Sequence, residues 1–354
     1  MRKPAMQINV LITGASRKVG LIRAFRETLD GSAGFTGHII GVEVDPLSSG
    51  LYCCDRAYLV PGASDPDYFP RLLEICRRED VRLIVPTTDI ELSVLAPFKK
   101  DFAEKGITVL VSDPSTINIC NDKYLTYLFL REEGLPVPAT CLPSEGPLAL
   151  GRGSGWGCGR LENMTLPLFV KPRHGRGSID CFKACNRKEL DFFLEYVEEP
   201  VVQECLEGRE YTIDLLAGFT GEVVSVVPRE RISTAAGVSQ KGTTVRDPGL
   251  IGLAVRVSKA LHITGPANIQ CFASNRGIGH NTGVELKLVE INPRFAGGYP
   301  LSHAAGASFP RLILKMVAGE TVTPQIGEFR EDLVMLRFDE GVFLHREELV
   351  KPEQ

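Results

Sequence analysis

The sequence predicts an α/β domain followed by an α+β region, on three observations. Between residues 8 and 111, short apolar runs alternate with stretches whose apolar residues recur at helical spacing. Those runs are nearly continuous, as expected of parallel strands covered on both faces. Beyond residue 114 the texture changes to strand-like runs separated by glycine turns, with fewer helical stretches.

The first domain, assigned to residues 1–113, opens on the strand 8–13 (INVLIT). A helix follows with Leu21, Ile22, Phe25 and Leu29 on one face. Strand 38–44, helix 68–79, strand 81–86, helix 90–104 and strand 107–111 complete it, and SDPS at 112–115 marks its end. The second region, 114–320, starts with a helix inside 121–138, opened by Asn121 or Asp122 as cap and closed by Gly134 before Pro136 and Pro138. Strands are expected at LPLFVKP, PVVQECLEG, EYTIDLLAG, EVVSVVP, NIQCFA and ELKLVEIN, and helices at 187–198, 248–261 and 302–318. Residues 321–354 are expected to add strands that pair as a hairpin on this core. The glycine-rich stretch 143–166 reads as a flexible insert without chemistry.

Charge narrows the function. Forty basic residues against 44 acidic ones, with a pI near 6.0, create no global field for nucleic acid or an anionic membrane. No apolar run nears the ~20 residues that span a bilayer. The N-terminus lacks the apolar core of a signal peptide, so a cytoplasmic protein is expected. The ten cysteines lack recurrent CxxC pairs and read as reduced, small apolar residues.

Two polar clusters follow strands of the first domain. LITGASRKVG (11–20) sits where a dinucleotide loop would, but only Gly14 and Gly20 are glycines, so GxGxxG is missing and a tight turn is the simpler reading. Glu43 and Asp45 end the second strand. Thr88, Asp89 and Glu91 either face a crevice or cap the next helix.

The second region carries the chemistry. An apolar strand delivers Lys171 to a loop of Arg173, His174, Gly175, Arg176, Gly177 and Ser178. Glycines let backbone N–H groups approach anionic oxygens, and the cations supply charge, which suits a polyphosphate. Lys123 is a second candidate cation. Glu204 and Glu210 flank the turn at Gly208, where a backbone edge and two carboxylates suit a nucleoside; an ordinary strand with solvent-facing acids has the same pattern. Gln270, Glu290 and Asn292, on two strands expected to pair, offer hard oxygen donors of the kind Mg²⁺ shares with phosphates and water. Arg294 follows them, where transferring phosphoryl groups need positive charge. A structural ion-pair cluster is the alternative for Glu290 and Arg294.

In their order, NDKYLT, FVKPRHGRGS, VQECLEGREYTID, NIQCF and VEINPRFAGGYPLS resemble the ATP-grasp superfamily, and within it the carbamoyl-phosphate synthase large chain. The resemblance implies a Rossmann-like pre-ATP-grasp domain before a two-lobed ATP-grasp domain, with ATP and Mg²⁺ (or Mn²⁺) as cofactors. It implies that Lys123 and Lys171 contact phosphates together with Gly175, Arg176, Gly177 and Ser178. It places Glu204 and the Leu206 backbone on adenine, Glu210 on ribose, Gln270, Glu290 and Asn292 on the metal, and Arg294 on an acyl phosphate. The chain departs from the synthase in having one such unit and no glutaminase segment.

The expected activity is therefore ATP-dependent ligation of a small-molecule carboxylate to an amine through an acyl phosphate. The alternatives are a carboxylate- or bicarbonate-phosphorylating half of a split synthase, a nucleotide-binding protein without turnover, and a dinucleotide-dependent oxidoreductase. The resemblance implies that specificity comes from the N-terminal domain, the loops at 233–245 and the turn after Arg294, with Lys241 and Arg246 as candidate anion contacts and His174 as a candidate base. A homodimer through the N-terminal domain is the assembly the resemblance implies.

Overall fold

The computed structural model describes residues 4–143, 161–175, 177–274 and 285–351. Most of the glycine-rich stretch, at 144–160, lies outside the described residues, and so does Arg176.

The first part is a five-stranded parallel sheet in the order Arg56–Leu59, Ile39–Glu43, Asn9–Thr13, Val81–Val85, Thr108–Val109. All five residues of Asn9–Thr13 are buried, because a central parallel strand is covered on both faces. The edge strand Arg56–Leu59 escaped the sequence reading: one side of it meets solvent, so it carries no continuous apolar run. The helix expected at 90–104 is three pieces, Asp89–Leu95, Ala96–Phe98 and Lys99–Ala103. Pro97 sits at the break, where it lacks the N–H that a continuous helix needs. The last strand is shorter than expected, only Thr108–Val109.

Residues near 114, read as a boundary loop, form the helix Pro114–Asn121, with proline in the first turn, where its missing N–H costs nothing. Asp122 then caps the helix Lys123–Glu132 by accepting from the N–H groups of Tyr124 and Leu125. Gly134 closes that helix at φ +64°.

Two antiparallel sheets follow. The smaller has the order Phe182–Ala184, Leu168–Pro172, Pro200–Glu204, Thr140–Cys141, and the helix Arg187–Tyr196 covers it. The larger runs Glu285–Asn292, Gly265–Ser274, Arg209–Ala217, Val223–Ala235, Val238–Thr244, Val334–Leu336. Residues 233–245, expected as loops, are mostly strand: the hairpin Val223–Ala235 and Val238–Thr244 continues past the apolar segment. Its outer half is rich in serine, threonine and glycine because it is partly exposed, so the apolar signal is missing there. Nor do the C-terminal strands form a hairpin. Gln325–Ile326 lies parallel to Val223–Ala235, and Val334–Leu336 pairs with Val238–Thr244. The helix expected at 302–318 is two, Tyr299–Ala304 and Phe309–Val317, separated at Gly306 (φ +104°).

One core joins the parallel sheet to the larger antiparallel one. Val10, Ile12 and Phe25 pack in the same cluster as Leu216, Val224, Phe295 and Phe309. Each such fully buried side chain contributes about 1.5–3 kcal/mol, so the two sheets are held at a set angle. The carboxyl ends of the parallel strands, at Gly14, Glu43 and Thr87, consequently face the polar side of the antiparallel sheet across a cleft.

Candidate active site

The cleft encloses about 1540 Å³. Strand alternation decides what enters it. On Arg209–Ala217, Glu210 and Thr212 line the cleft, while Tyr211, Ile213 and Leu215 fill the core behind. On Gly265–Ser274, Asn268, Gln270 and Phe272 line it, and Ala267, Ile269 and Cys271 go to the core.

The third strand breaks this rule in an instructive way. A period of two would put Leu288 on the same side as Glu290 and Asn292, yet Leu288 and Ile291 are both in the core. A β-bulge resolves the conflict: Gln270 pairs with Glu290, but the next residue, Cys271, pairs with Leu288. Val289 is the extra residue, and it and Glu290 both reach the cleft.

Lys171 is buried at the end of its strand, 4% exposed, and its Nζ donates to Gln203 Oε1 at 3.1 Å. Gln203 is held in turn by donating to Thr140 Oγ1 at 3.0 Å. Burial lowers the Lys171 pKa to about 8, against the opposing pull of Glu290. Lys123 donates to the Gly175 carbonyl at 2.9 Å, which ties the helix start to the glycine loop. Gly175, Gly177 and Ser178 line the cleft beside both lysines, and Gly177 and Ser178 hold φ of +68° and +57°. Phe169, Ile179, Leu206, Phe272 and Val289 supply an apolar wall at the same end. Glu204 sits there too, accepting from the Ala139 N–H at 3.2 Å and from Lys287.

Gln270, Glu290 and Asn292 come together on adjacent strands. The Glu290 carboxylate has no hydrogen bond or ion pair among the described residues, while Asn292 Nδ2 donates to Asn268 Oδ1 at 3.3 Å. No group of three His, Cys, Asp or Glu side chains able to hold a metal occurs among the described residues. One carboxylate and two amide oxygens cannot cage an ion alone; they fit a hard cation that takes its remaining ligands from phosphate and water. Arg294 lies beside them, donating to Asn292 Oδ1 at 3.1 Å and, through Nε and Nη2, to both oxygens of Asp89 at 2.7 and 3.0 Å.

Asp89, read as facing a crevice or capping a helix, lines the cleft, and three further cleft residues were missed: Lys18, Arg229 and Arg231. Asp89 comes from the first domain, at the start of a helix where Thr88 is the cap and Glu91 completes a capping box. Lys18 projects from the Gly14 turn; burial and the neighbouring Arg294 lower its pKa to about 8, opposed by Asp89, Glu91 and Glu43. Arg229 is fully buried and clamped bidentately by Asp214 at 2.7 and 2.9 Å. Arg231 joins Glu210 to Gln270, at 2.5 and 2.9 Å. The strand-end patterns around Glu210 and Gln270 were legible, but Arg229 and Arg231 sat in a segment that read as a plain strand running into a loop. Burial raises the Glu210 pKa, with Arg231 opposing.

Other candidates point elsewhere. Arg173 pairs with Asp122 at 2.7 Å, behind the loop, and thus reinforces the helix cap. His174 leans on the Asn121 carbonyl and Glu199, away from the cleft lining, so it is not placed to act as a base. Arg246 reaches the Phe329 carbonyl and Glu331, and neither it nor the exposed Lys241 lines the cleft. Glu43 accepts from the N–H groups of Ser16 and Val44, so it braces the Gly14 turn in the manner of a tight structural corner.

A parallel-sheet domain leading into two antiparallel lobes, with a lysine-and-glycine loop facing a Gln/Glu/Asn cluster, defines a nucleotide-dependent class of protein. The chain is similar to ATP-grasp proteins. Residues 197–340 match the family described as ATP-grasp in the biosynthetic pathway with Ter operon, and residues 10–110 match the PylC-like N-terminal domain. The arginine-specific carbamoyl phosphate synthase large chain of Eremothecium gossypii is 26% identical over 238 residues, 62% of this chain and 20% of that one. D-alanine–D-alanine ligase A of Bacillus cereus is 27% identical over 168 residues, 44% of this chain and 54% of the ligase. Biotin carboxylase of Campylobacter jejuni superposes with a TM-score of 0.68 at 16% identity, over 92% of this chain and 74% of the carboxylase. The chain spans between 11% and 44% of the length of the first curated relatives it matches.

Proposed function

We propose that the chain is an ATP-dependent carboxylate–amine ligase that works through an acyl phosphate. The observation that carries this reading is the convergence, in one cleft, of buried Lys171, the Gln270–Glu290–Asn292 oxygens and Arg294. The apolar wall with Glu204 and the Leu206 backbone takes adenine, and Glu210 takes the ribose. Lys123, Lys171 and the Gly175–Ser178 loop take the phosphates, including Arg176 by its position in that loop. Gln270, Glu290 and Asn292 hold Mg²⁺ (or Mn²⁺), which when bound neutralises charge on the phosphate oxygens.

The chain's own groups then act in sequence. Lys171 offsets charge on the transferring phosphoryl group, and it does so strongly because it is desolvated. Arg294, oriented by Asp89, holds the substrate carboxylate and then the acyl phosphate. The carboxylate oxygen attacks the γ-phosphorus, and ADP leaves with the electrons of the broken P–O bond. The neutral amine then attacks the acyl carbon, phosphate leaves with the electrons of the broken C–O bond, and the amine's surplus proton passes to that phosphate or to water. Splitting one condensation into two steps is what ATP provides.

Phosphate release from Mg·ATP, measured with and without a mixed pool of amino acids and small carboxylic acids, tests the reading. Release that requires both a carboxylate and an amine supports a ligase. Release with a carboxylate alone favours the second reading, a carboxylate- or bicarbonate-phosphorylating half that needs a partner. Tight ATP binding without release under any mixture would overturn the ligase. A cytoplasmic location and a homodimer through the N-terminal domain extend the proposal; no helix among the described residues is long and apolar enough to cross a membrane.

A further inference from the structure

Arg231 has no role in the ligase reading, and its surroundings are not those of an arginine that merely fills space. Its side chain is 5% exposed, yet it lines the cleft. Nη1 donates to Glu210 Oε1 at 2.5 Å and to Gln270 Oε1 at 2.9 Å, and Nη2 donates to the Gly237 carbonyl at 2.7 Å. Nε is buried without an acceptor among the described residues. A guanidinium has five N–H donors, so two stay uncommitted here, Nε and the second proton of Nη2. Leaving charged donors unpaired in a desolvated place is costly, and an anion would relieve that cost.

One further contact locates the guanidinium. Gly237 lies at the hairpin tip, and a Cβ added there would sit 3.3 Å from the Cα of Gly177, so the tip rests backbone to backbone on the glycine loop. Arg231 therefore lies under the loop that faces Lys171 and reaches the Gln270 oxygen opposite. A guanidinium and a divalent cation drawn to the same amide oxygen repel each other, so both cannot stay at Gln270 without an anion between them.

We propose that Arg231 is a phosphate-binding residue of the nucleotide site. Its uncommitted N–H groups serve polyphosphate oxygens, and its bond to Gln270 is given up when the nucleotide and its cation arrive. The proposal rests on the nucleotide site of the ligase reading and adds a residue to it.

Calorimetric titration of adenosine, ADP and ATP, each with Mg²⁺, into wild type, R231K and R231M tests it without any turnover, with circular dichroism confirming that each variant is folded. In R231M, ADP and ATP should bind about tenfold more weakly while adenosine changes by less than about twofold. R231K should recover part of the loss, since it keeps the charge but not the planar fork. An equal loss for adenosine and ATP, or no loss, would overturn the phosphate role and leave Arg231 a structural strut. If R231M does not fold, the adenosine-to-ATP ratio in R231K decides in the same way. Wild type that binds no nucleotide overturns the ligase reading along with this one; wild type that binds ATP while the variants lose affinity uniformly overturns this one alone.

Discussion

Arg294 and Asp89 form a bidentate ion pair across 205 residues of sequence, at 2.7 and 3.0 Å, and so join the antiparallel sheet to the first domain inside the cleft. Because Asp89 also begins a helix whose cap is complete, its carboxylate is carried on a rigid element. Arg294 is thereby aimed at a set point beside Asn292 and is not free to follow solvent.

That geometry predicts the effect of D89N. The amide keeps one acceptor oxygen but loses the charge and one half of the fork, so Arg294 can swing. We expect the rate of phosphate release at saturating substrate to fall about 100-fold, the cost of a misplaced catalytic group, while KM for ATP stays within about threefold. Steady-state assays decide it; a change confined to KM would assign Asp89 to binding.

Glu290 is the only carboxylate in the Gln270–Glu290–Asn292 set. Replacing it with glutamine should reduce phosphate release by about 10²–10³-fold, as expected when charge stabilisation of the transition state is lost. Electron paramagnetic resonance of Mn²⁺ in the presence of a non-hydrolysable ATP analogue should show weaker ion binding by the variant. Unchanged Mn²⁺ affinity would place the metal elsewhere.

Lys171 predicts a pH profile. Its pKa in the folded chain is about 8 because burial disfavours the charged form. Bound triphosphate favours the charged form, so the Kd for Mg·ATP should be flat below pH 8 and rise toward tenfold per unit above it. The stability term has the opposite sign: the unfolded chain binds the extra proton between pH 8 and the ordinary lysine range, so this residue's contribution to stability grows as pH rises there. Lys18, also near 8, titrates in the same range, so K18M and K171M are titrated in parallel to tell the two apart. The proposal requires K171M, and not K18M, to lose the rise.

The Asp214–Arg229 pair predicts a structural loss. Both side chains are almost fully buried, 2% and 1% exposed, and Ser302 adds a 2.5 Å hydrogen bond to the same carboxylate. D214A leaves Arg229 charged and unpaired in the interior and should cost about 3–5 kcal/mol, read as a shift in the urea midpoint. A cost under about 1 kcal/mol would mean that water reaches Arg229.

Much of the candidate site was legible because it lies at strand ends, where a period of two exposes polar residues against an apolar background. Lys171 after LPLFV, and Glu290 with Asn292 in LVEIN, stand out for that reason. The same logic misplaces Leu288 unless the bulge at Val289 is known, and a bulge is decided by the partner strand. The hairpin around Gly237 was read as loop because its outer residues are small and polar; its strand character comes from pairing with Val334–Leu336 on one side and the sheet on the other.

What the sequence by itself determined is the alternation of each strand, the helix caps, and the order of motifs that marks the superfamily. These depend on residues within a few positions of each other, where backbone geometry dictates which side chains share a face. Only the tertiary structure decided that Asp89 meets Arg294, that Arg231 bridges Glu210 and Gln270, and that Arg173 and His174 turn away from the loop they begin. Those pairings depend on strand register and on how two sheets pack around one core, and such long-range contacts leave no mark on local spacing.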